Sequence, residues 1–311
     1  KPGGAHAAAE ARTCSGAVIK DSTYGGGYEA DARSSAAPGH AAVLANYRKS
    51  EYGNGTTMDA YFTDDTGAMG GLPLPCNFSM ATYQAYTNKV TQSLVRPTFV
   101  NTLHAGDPVT QTGYLNATNV IGGMCELCIA YNNKTLGRDV AETGSQWIGQ
   151  ENAAIVTVAK RKIFWLYARA AYNPAYETPL RKFMYASFLL TYSPQYSMYQ
   201  DAFKTPSGFP VMPETGIVPM QPLTTASSVT GYLRSGGTYM REFGACYYLG
   251  VLKGKCAVVV NPGASTARIA TTAYAHSVVL SGYDVLDGGT VSFTGARVTS
   301  VPAAGGAILF P

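Results

Sequence analysis

The sequence predicts an α/β protein with two parts: a portion of a parallel β/α barrel over residues 1–210, and an antiparallel β-domain over residues 211–311. Short apolar runs alternate with helix-forming segments in the first part, a pattern typical of parallel strands joined by helical crossovers. After residue 210 the pattern changes to short β-prone runs separated by glycine-rich turns. A chain of 311 residues is long enough for two hydrophobic cores.

Five strands and four helices account for the first part. Residues 120–130 are apolar enough for a strand buried on both faces, and Trp147, Ala154 and Ile155 recur at helical spacing. The long segment 22–78 is rich in Gly, Tyr, Asp and Ser and reads as an irregular loop. The predicted strands are 14–21, 96–103, 120–130, 162–168 and 195–199, and the predicted helices are 5–12, 79–94, 146–160 and 180–191. In the second part, strands are predicted at 256–261, 277–280, 290–293 and 307–310.

Composition excludes several classes of partner and cofactor. Charged residues make up 14% of the chain and the net charge is +4 with scattered basic residues, so no nucleic-acid partner is expected. The apolar runs are far shorter than the roughly 20 residues of a membrane span. The four histidines are dispersed and no phosphate-binding, dinucleotide-binding or nucleophile-elbow motif is present, so we predict no metal and no cofactor.

The cysteines and glycosylation signals predict a secreted glycoprotein. Six cysteines form an even set, which suits an oxidising compartment. Four Asn-x-Ser/Thr sequons are candidate glycosylation sites: Asn54, Asn77, Asn116 and Asn133.

One disulfide is predicted from the sequence, between Cys246 and Cys256, because a hairpin centred near Val251 sets these two positions opposite each other. The pairing of Cys14, Cys76, Cys125 and Cys128 stays open. Cys125-Glu-Leu-Cys128 has the spacing of a redox or metal half-site, but on a continuous strand its two cysteines would face opposite sides.

Two acidic residues are the candidate catalytic pair. In parallel β/α barrels the reacting groups lie at the carboxyl ends of strands, and Asp21 ends one predicted strand. Glu126 lies within an apolar run, where a carboxylate needs a partner or a function. Glycoside hydrolysis uses two carboxyl groups on either side of the scissile bond. The alternative is structural: Asp21 caps a turn and Glu126 pairs with Arg169.

Aromatic residues near predicted strand ends are candidates for sugar stacking. The chain has 22 tyrosines. The predicted substrate-binding residues are Tyr24, Tyr28, Tyr131, Tyr167 and Arg169.

Four passages resemble a loosely characterised group of glycoside hydrolases with a TIM barrel, related to the polygalactosaminidase-like enzymes. Ser15-Gly-Ala-Val-Ile-Lys-Asp21 resembles a barrel strand that ends in an aspartate, and Gly122-Gly-Met-Cys-Glu126 resembles the strand with a catalytic glutamate. Tyr239-Met-Arg-Glu-Phe243 with Val258-Val-Val-Asn-Pro262, and the closing residues 282–310, resemble the group's C-terminal β-domain. The resemblance implies the barrel fold, the Asp21 and Glu126 pair, and a carbohydrate partner.

The resemblance aligns the five predicted strands with the fourth to eighth strands of a barrel. The strand ending at Asp21 would then pair with a strand outside residues 1–311, from an upstream fragment, a partner chain or a second copy. The predicted function is a secreted glycoside-hydrolase-like protein that binds or cleaves an extracellular polysaccharide. The alternative is a catalytically inactive glycoprotein subunit of a wall, fibre or surface appendage.

Overall fold

The fold is described from a computed structural model of the whole chain. The residues that the structure describes are 10–21, 27–28, 59–63, 74–79, 81–82, 85, 91, 94, 96–101, 103, 108–126, 128–133, 135–168, 174–201, 211–269, 273–274, 276–281, 289–293, 295 and 297–311.

The chain divides into two compact units, Lys1–Met124 and Cys125–Pro311. The elements of the N-terminal unit are β1 (Lys20–Asp21), β2 (Gly27–Tyr28), β3 (Tyr61–Thr63), β4 (Thr98–Asn101), α1 (Pro108–Asn116) and β5 (Val120–Glu126), within which the division falls. β4 pairs in parallel with both β3 and β5. Val100 is fully buried and Val120 almost fully buried. Aliphatic side chains of this kind pack on the covered faces of a parallel sheet, which favours strands at these positions.

The strand predicted to end at Asp21 is not a parallel barrel strand. Val18 pairs antiparallel with Arg12, and β1 pairs antiparallel with β2. The turn between the first two partners has Gly16 at φ +85°, a left-handed conformation that glycine adopts without a Cβ penalty. The segment therefore pairs within the chain, and the reason for expecting a strand from another chain beside it is removed.

The C-terminal unit begins with mixed helix and strand structure. Its elements to residue 201 are β6 (Ala130–Asn133), β7 (Arg138–Ala141), α2 (Gly144–Ala159), β8 (Ile163–Ala168), α3 (Pro174–Thr191) and β9 (Ser197–Asp201). β6 and β7 form an antiparallel hairpin, whereas β8 and β9 pair in parallel. Trp147 of α2 is fully buried and donates its indole N–H to Ser187 Oγ of α3 at 2.9 Å, so the two helices are joined by packing and by a hydrogen bond.

The rest of the unit is antiparallel. Its strands are β10 (Ile217–Pro222), β11 (Tyr239–Tyr248), β12 (Val251–Asn261), β13 (Ala267–Arg268), β14 (His276–Ser277), β15 (Val279–Ser281), β16 (Thr290–Ser292), β17 (Ser300–Val301) and β18 (Gly305–Phe310), with short 3₁₀ helices at Pro213–Gly216 and Val229–Tyr232. Five of them form one sheet in the order β10-β11-β12-β18-β14. Its core includes Met240, Val259 and Leu309.

The described strands confirm a mixed α/β fold with five strands in parallel pairs and a separate antiparallel sheet. Closure of the parallel strands into a barrel stays a prediction, as does the domain boundary at residue 210. Within the described part of the chain, no helix combines the length and the apolar character that a membrane crossing requires.

Helix α3 lies directly on β18 at Gly306, and this close approach yields a stability prediction. A Cβ at residue 306 would lie 2.5 Å from the carbonyl oxygen of Lys182 and 2.7 Å from Ala186 Cβ. Backbone and helix must shift to admit even a methyl group, so Gly306→Ala should lower the free energy of unfolding by about 1–3 kcal/mol in chemical denaturation. Gly263→Ala is the control, since its nearest neighbour is the side-chain oxygen of Asn261 at 3.0 Å. Equal stability of the two variants would contradict the prediction.

Candidate functional site

Glu126 is exposed at the carboxyl end of a strand whose preceding residues are mostly buried. Burial does not alternate along most of β5, because Gly122, Gly123, Met124 and Cys125 are all buried. Glu126, which follows them, is exposed. A strand of this kind is typical of parallel sheets, and its last residue is where such sheets present functional groups. Glu126 has an interaction partner, so it is not a free carboxylate.

Cys125 and Cys128 are joined by a disulfide. The sequence predicted a strand to residue 130 on which these cysteines would face opposite sides, but β5 ends at Glu126 and the chain turns back. Ile129 then adopts φ +73°, an uncommon conformation for a β-branched residue. The disulfide therefore fixes the turn that follows Glu126.

Glu142 holds the same turn from the other side, and sequence reasoning did not find it. Its backbone N–H donates to the carbonyl of Ile129 at 2.7 Å, and the Ile129 N–H lies 3.4 Å from Glu142 Oε2. Burial raises the pKa of Glu142, while the hydrogen bonds from Ile129 and the Gln150 side chain act in the opposite direction. Gln150 Oε1 also lies 3.4 Å from the sulfur of Cys125. One buried polar cluster therefore supports the carboxyl end of β5, next to Glu126.

Two of the tyrosines predicted to stack on sugar rings lie in the C-terminal unit and are at least partly exposed to solvent. Tyr131 follows the turn on β6 and is 37% exposed. Tyr167 lies on the half-buried face of β8 with Trp165, and their rings meet edge to face at 6.1 Å. Both residues can present aromatic area to a ligand.

The structure does not describe where the other predicted site residues lie relative to Glu126. Asp21 belongs to the N-terminal unit, and its side chain, like that of Tyr28, is outside what the structure describes. Tyr24 and Arg169 lie outside the described residues altogether. The Asp21 and Glu126 pair therefore stays a prediction, and so does the alternative pair of Glu126 with Arg169.

The remaining cysteines form two further bonds, Cys246–Cys256 and Cys14–Cys76. The first joins the two strands of the β11–β12 hairpin, as predicted, but the two cysteines are not directly opposite each other: Cys246 pairs with Gly254 and Cys256 with Phe243, because the register shifts between Phe243 and Cys246. The second ties the N-terminal hairpin at 12–18 to residues 74–79, across 62 residues of chain, a loop length for which chain-entropy arguments give about 4 kcal/mol of stabilisation. Three bonds suit an extracellular location, although they do not establish secretion.

Three of the four sequons fall on described residues. Asn77 and Asn116 are exposed, and so are the hydroxyl residues Ser79 and Thr118 of their sequons. Asn133 is half-buried, and its side-chain oxygen accepts a hydrogen bond from the Leu136 N–H at 3.1 Å. Asn54 lies outside the described residues.

A small cavity of about 280 Å³ lies in the C-terminal unit beside a buried ion pair. Arg181 donates to both carboxylate oxygens of Glu214, at 2.7 and 2.5 Å, and each side chain is 3% exposed. Lys182 lines the cavity with Glu214, and burial lowers the pKa of its amine, opposed by the Glu214 charge. The walls are otherwise mostly apolar, so we assign this group a structural role.

No group of three or more metal-ligating side chains occurs among the residues whose structure is described. No known protein family matches the chain, and no curated protein matches its sequence.

Proposed function

We propose that the protein acts on or binds an extracellular polysaccharide at the carboxyl end of β5, with Glu126 as the reacting carboxyl group. One observation carries the proposal: an exposed glutamate ends a buried parallel strand, on a turn fixed by a disulfide and by Glu142. A carboxyl group held on a rigid turn is what general acid or nucleophilic catalysis at a glycosidic bond needs.

Of the residues near Glu126, one can bind a sugar ring and another holds the turn in place. Tyr131 supplies an exposed ring a few residues beyond Glu126, and the apolar faces of sugar rings stack on such rings. Glu142 is too buried to meet a polysaccharide and serves to hold the turn. Glycoside hydrolysis requires a second carboxyl group. The resemblance to the TIM-barrel glycoside hydrolases implies Asp21 for this role, but Asp21 lies in an antiparallel hairpin of the N-terminal unit and not at the end of a parallel strand, so its pairing with Glu126 stays a prediction.

Glu126→Gln tests the proposal. The amide keeps the shape of the side chain but cannot ionise or donate an acidic proton, so hydrolysis should fall at least a hundredfold while polysaccharide binding persists. The measurements are reducing-end release and affinity electrophoresis on a panel of neutral, acidic and galactosamine-containing polysaccharides. Asp59→Asn is the matched control, because Asp59 is exposed just before the amino end of β3, where parallel sheets do not place chemistry.

Two results would contradict the catalytic role. A Glu126→Gln protein that hydrolyses at the parent rate removes Glu126 from the mechanism. An equal loss in the Asp59→Asn protein would show that the effect is general rather than local to the end of β5.

A structural glycoprotein is the second candidate function, and the exposed sequons at Asn77 and Asn116 favour it. A protein of this kind should bind or hydrolyse none of the polysaccharides and should form assemblies in native mass measurements. Hydrolysis of any member of the panel that depends on Glu126 excludes this second candidate.

A further inference from the structure

A second cavity lies in the C-terminal unit, remote in sequence from Glu126. It has a volume of about 640 Å³ and lies among the end of α2, the chain that follows α3, and the segment from β10 to the 3₁₀ helix at Val229–Tyr232. Its walls are mostly apolar and include Ile155, Ala159 and Met220. Two buried polar side chains, Arg241 and Tyr232, also line it.

Arg241 is a buried cation held in place by backbone carbonyls. It is 6% exposed. Its Nη1 donates to the carbonyls of Leu190 and Tyr192 at 3.1 and 2.9 Å, and its Nε donates to Thr224 at 3.3 Å. The guanidinium carbon lies 5.0 Å from the ring centre of Phe243 and 5.5 Å from that of Tyr232.

This arrangement leaves one end of the guanidinium unused. Nη2 has no acceptor, and Arg241 has no carboxylate partner, among the residues that the structure describes. The carbonyls at the end of α3 offset part of the charge, because a helix carries partial negative charge at its C-terminus. A buried arginine usually has a full counter-ion, and the described residues supply none for Arg241.

Tyr232 supplies a second unused donor beside the first. It is 3% exposed and lines the same cavity. Its hydroxyl has no hydrogen-bond partner in the described part of the chain, and it is not among the polar atoms that are fully buried without one, so it remains accessible to a ligand. Arg241 Nη2 and the Tyr232 hydroxyl are therefore two accessible donors without a described protein partner, and together with the apolar walls of the cavity they form a candidate site for an anion.

We propose that this cavity binds a small organic carboxylate. Arg241 Nη2 and the Tyr232 hydroxyl donate to the carboxylate oxygens, and the apolar walls hold the hydrocarbon part of the ligand. A carboxylate fits better than a phosphate, since few donors converge here and most of the lining is apolar. Lys160, exposed at the rim, adds a favourable charge. The proposal does not depend on the role of Glu126.

Binding of benzoate and of hexanoate tests the proposal, measured by calorimetry and by ligand-observed NMR on the full chain. At least one of the two acids should bind saturably, and its neutral amide, benzamide or hexanamide, should bind at least tenfold more weakly. Tyr232→Phe removes only the hydroxyl, and since a hydrogen bond to a charged group is lost, binding should weaken about tenfold or more. Tyr247→Phe, on β11 and outside the cavity, is the matched control and should bind like the parent.

A second variant tests the location independently of the donors. Ala159 is exposed on the last turn of α2, so Ala159→Trp should fold normally, fill the cavity and abolish binding. Gln146→Trp, exposed at the other end of α2, is its control and should leave binding unchanged.

The proposal is overturned if neither acid binds saturably, if acid and amide bind equally, or if Tyr232→Phe binds as tightly as Tyr247→Phe. It is also overturned if Ala159→Trp folds and still binds at parental affinity. Arg241→Met is not required for the test, because Arg241 also holds the end of α3.

Discussion

Replacing Glu214 by leucine should lower the free energy of unfolding by about 3–5 kcal/mol, because the buried Arg181 guanidinium would lose the carboxylate that accepts hydrogen bonds from its Nε and Nη2. Both partners are almost inaccessible to water, so solvent cannot take the place of the carboxylate. The geometry increases the loss. The two hydrogen bonds from Arg181 Nε and Nη2 to the two oxygens of Glu214 form a bidentate pair, the strongest arrangement available to these side chains.

The ion pair also has a third participant. The charge of Glu214 raises the pKa of the Lys182 amine against the lowering effect of burial. Without Glu214, burial acts unopposed, and Lys182 becomes harder to keep protonated. Glu214→Leu should therefore destabilise helix α3 through two neighbouring cations.

The double variant Arg181→Met with Glu214→Leu separates the cost of removing one partner of the ion pair from the value of the whole pair. Two apolar side chains of similar volume leave no uncompensated charge, so the double variant should recover most of the lost stability. Denaturant unfolding with the disulfides intact measures both proteins. If the double variant is as unstable as Glu214→Leu alone, the loss comes from packing and the ion-pair explanation is wrong.

The long apolar elements of this chain could be predicted from sequence because their patterns are local. β5 lies within the predicted strand 120–130, and β8 within 162–168. Helix α2 follows from the spacing of Trp147, Ala154 and Ile155, all buried in the structure. In these segments the apolar side of each element is buried in any compact fold, so the local pattern is enough to predict the element.

Elements without such a pattern were missed. β3 has only three residues and lies in the segment read as an irregular loop. Helix α1 is largely polar and contains Gly113, so neither periodicity nor propensity predicts it. β6 and β7 are short and polar, and their hairpin forms beside a turn fixed by Cys125–Cys128 and Glu142. These elements depend on contacts that the local sequence does not contain.

The candidate sites divide in the same way. Glu126 could be found because a charge within an apolar run is visible in the sequence. Arg241 appeared only as part of a resemblance, because its burial depends on carbonyls at Leu190 and Tyr192, about fifty residues earlier. An unsatisfied donor cannot be recognised until the positions of its potential acceptors are known.

Glu151 should make the protein less stable as the pH rises. Glu151→Gln should remove this contribution to the pH dependence of stability. This carboxyl group is buried in α2, its side chain is hydrogen-bonded with Thr191, and its Oε2 atom has no partner among the described residues. Burial raises its pKa well above the ordinary value of 4.5, with the Thr191 hydrogen bond acting in the opposite direction. The folded protein therefore keeps the proton at pH values where the unfolded chain has lost it.

The sign follows from proton binding. Between the unfolded and folded pKa values the folded state binds more protons, so the contribution of Glu151 to stability is full below about pH 4.5 and declines as the pH rises through the folded pKa. The decline approaches about 1.4 kcal/mol per pH unit within that window. Glutamine has a similar shape and no proton to lose, so the difference in unfolding free energy between Glu151→Gln and the parent should grow in favour of the variant as the pH rises from 5 to 9.

Denaturant unfolding across this pH range measures the difference directly, and subtraction of the two curves removes the contributions of Glu142 and of other titrating groups that the variant shares with the parent. A difference curve for Glu151→Gln that is flat from pH 5 to 9 would mean that the carboxylate of Glu151 ionises in the folded state as readily as in the unfolded chain. Water would then reach the interface between α2 and the end of α3, and Glu151 would not be the buried acid that its contact with Thr191 indicates.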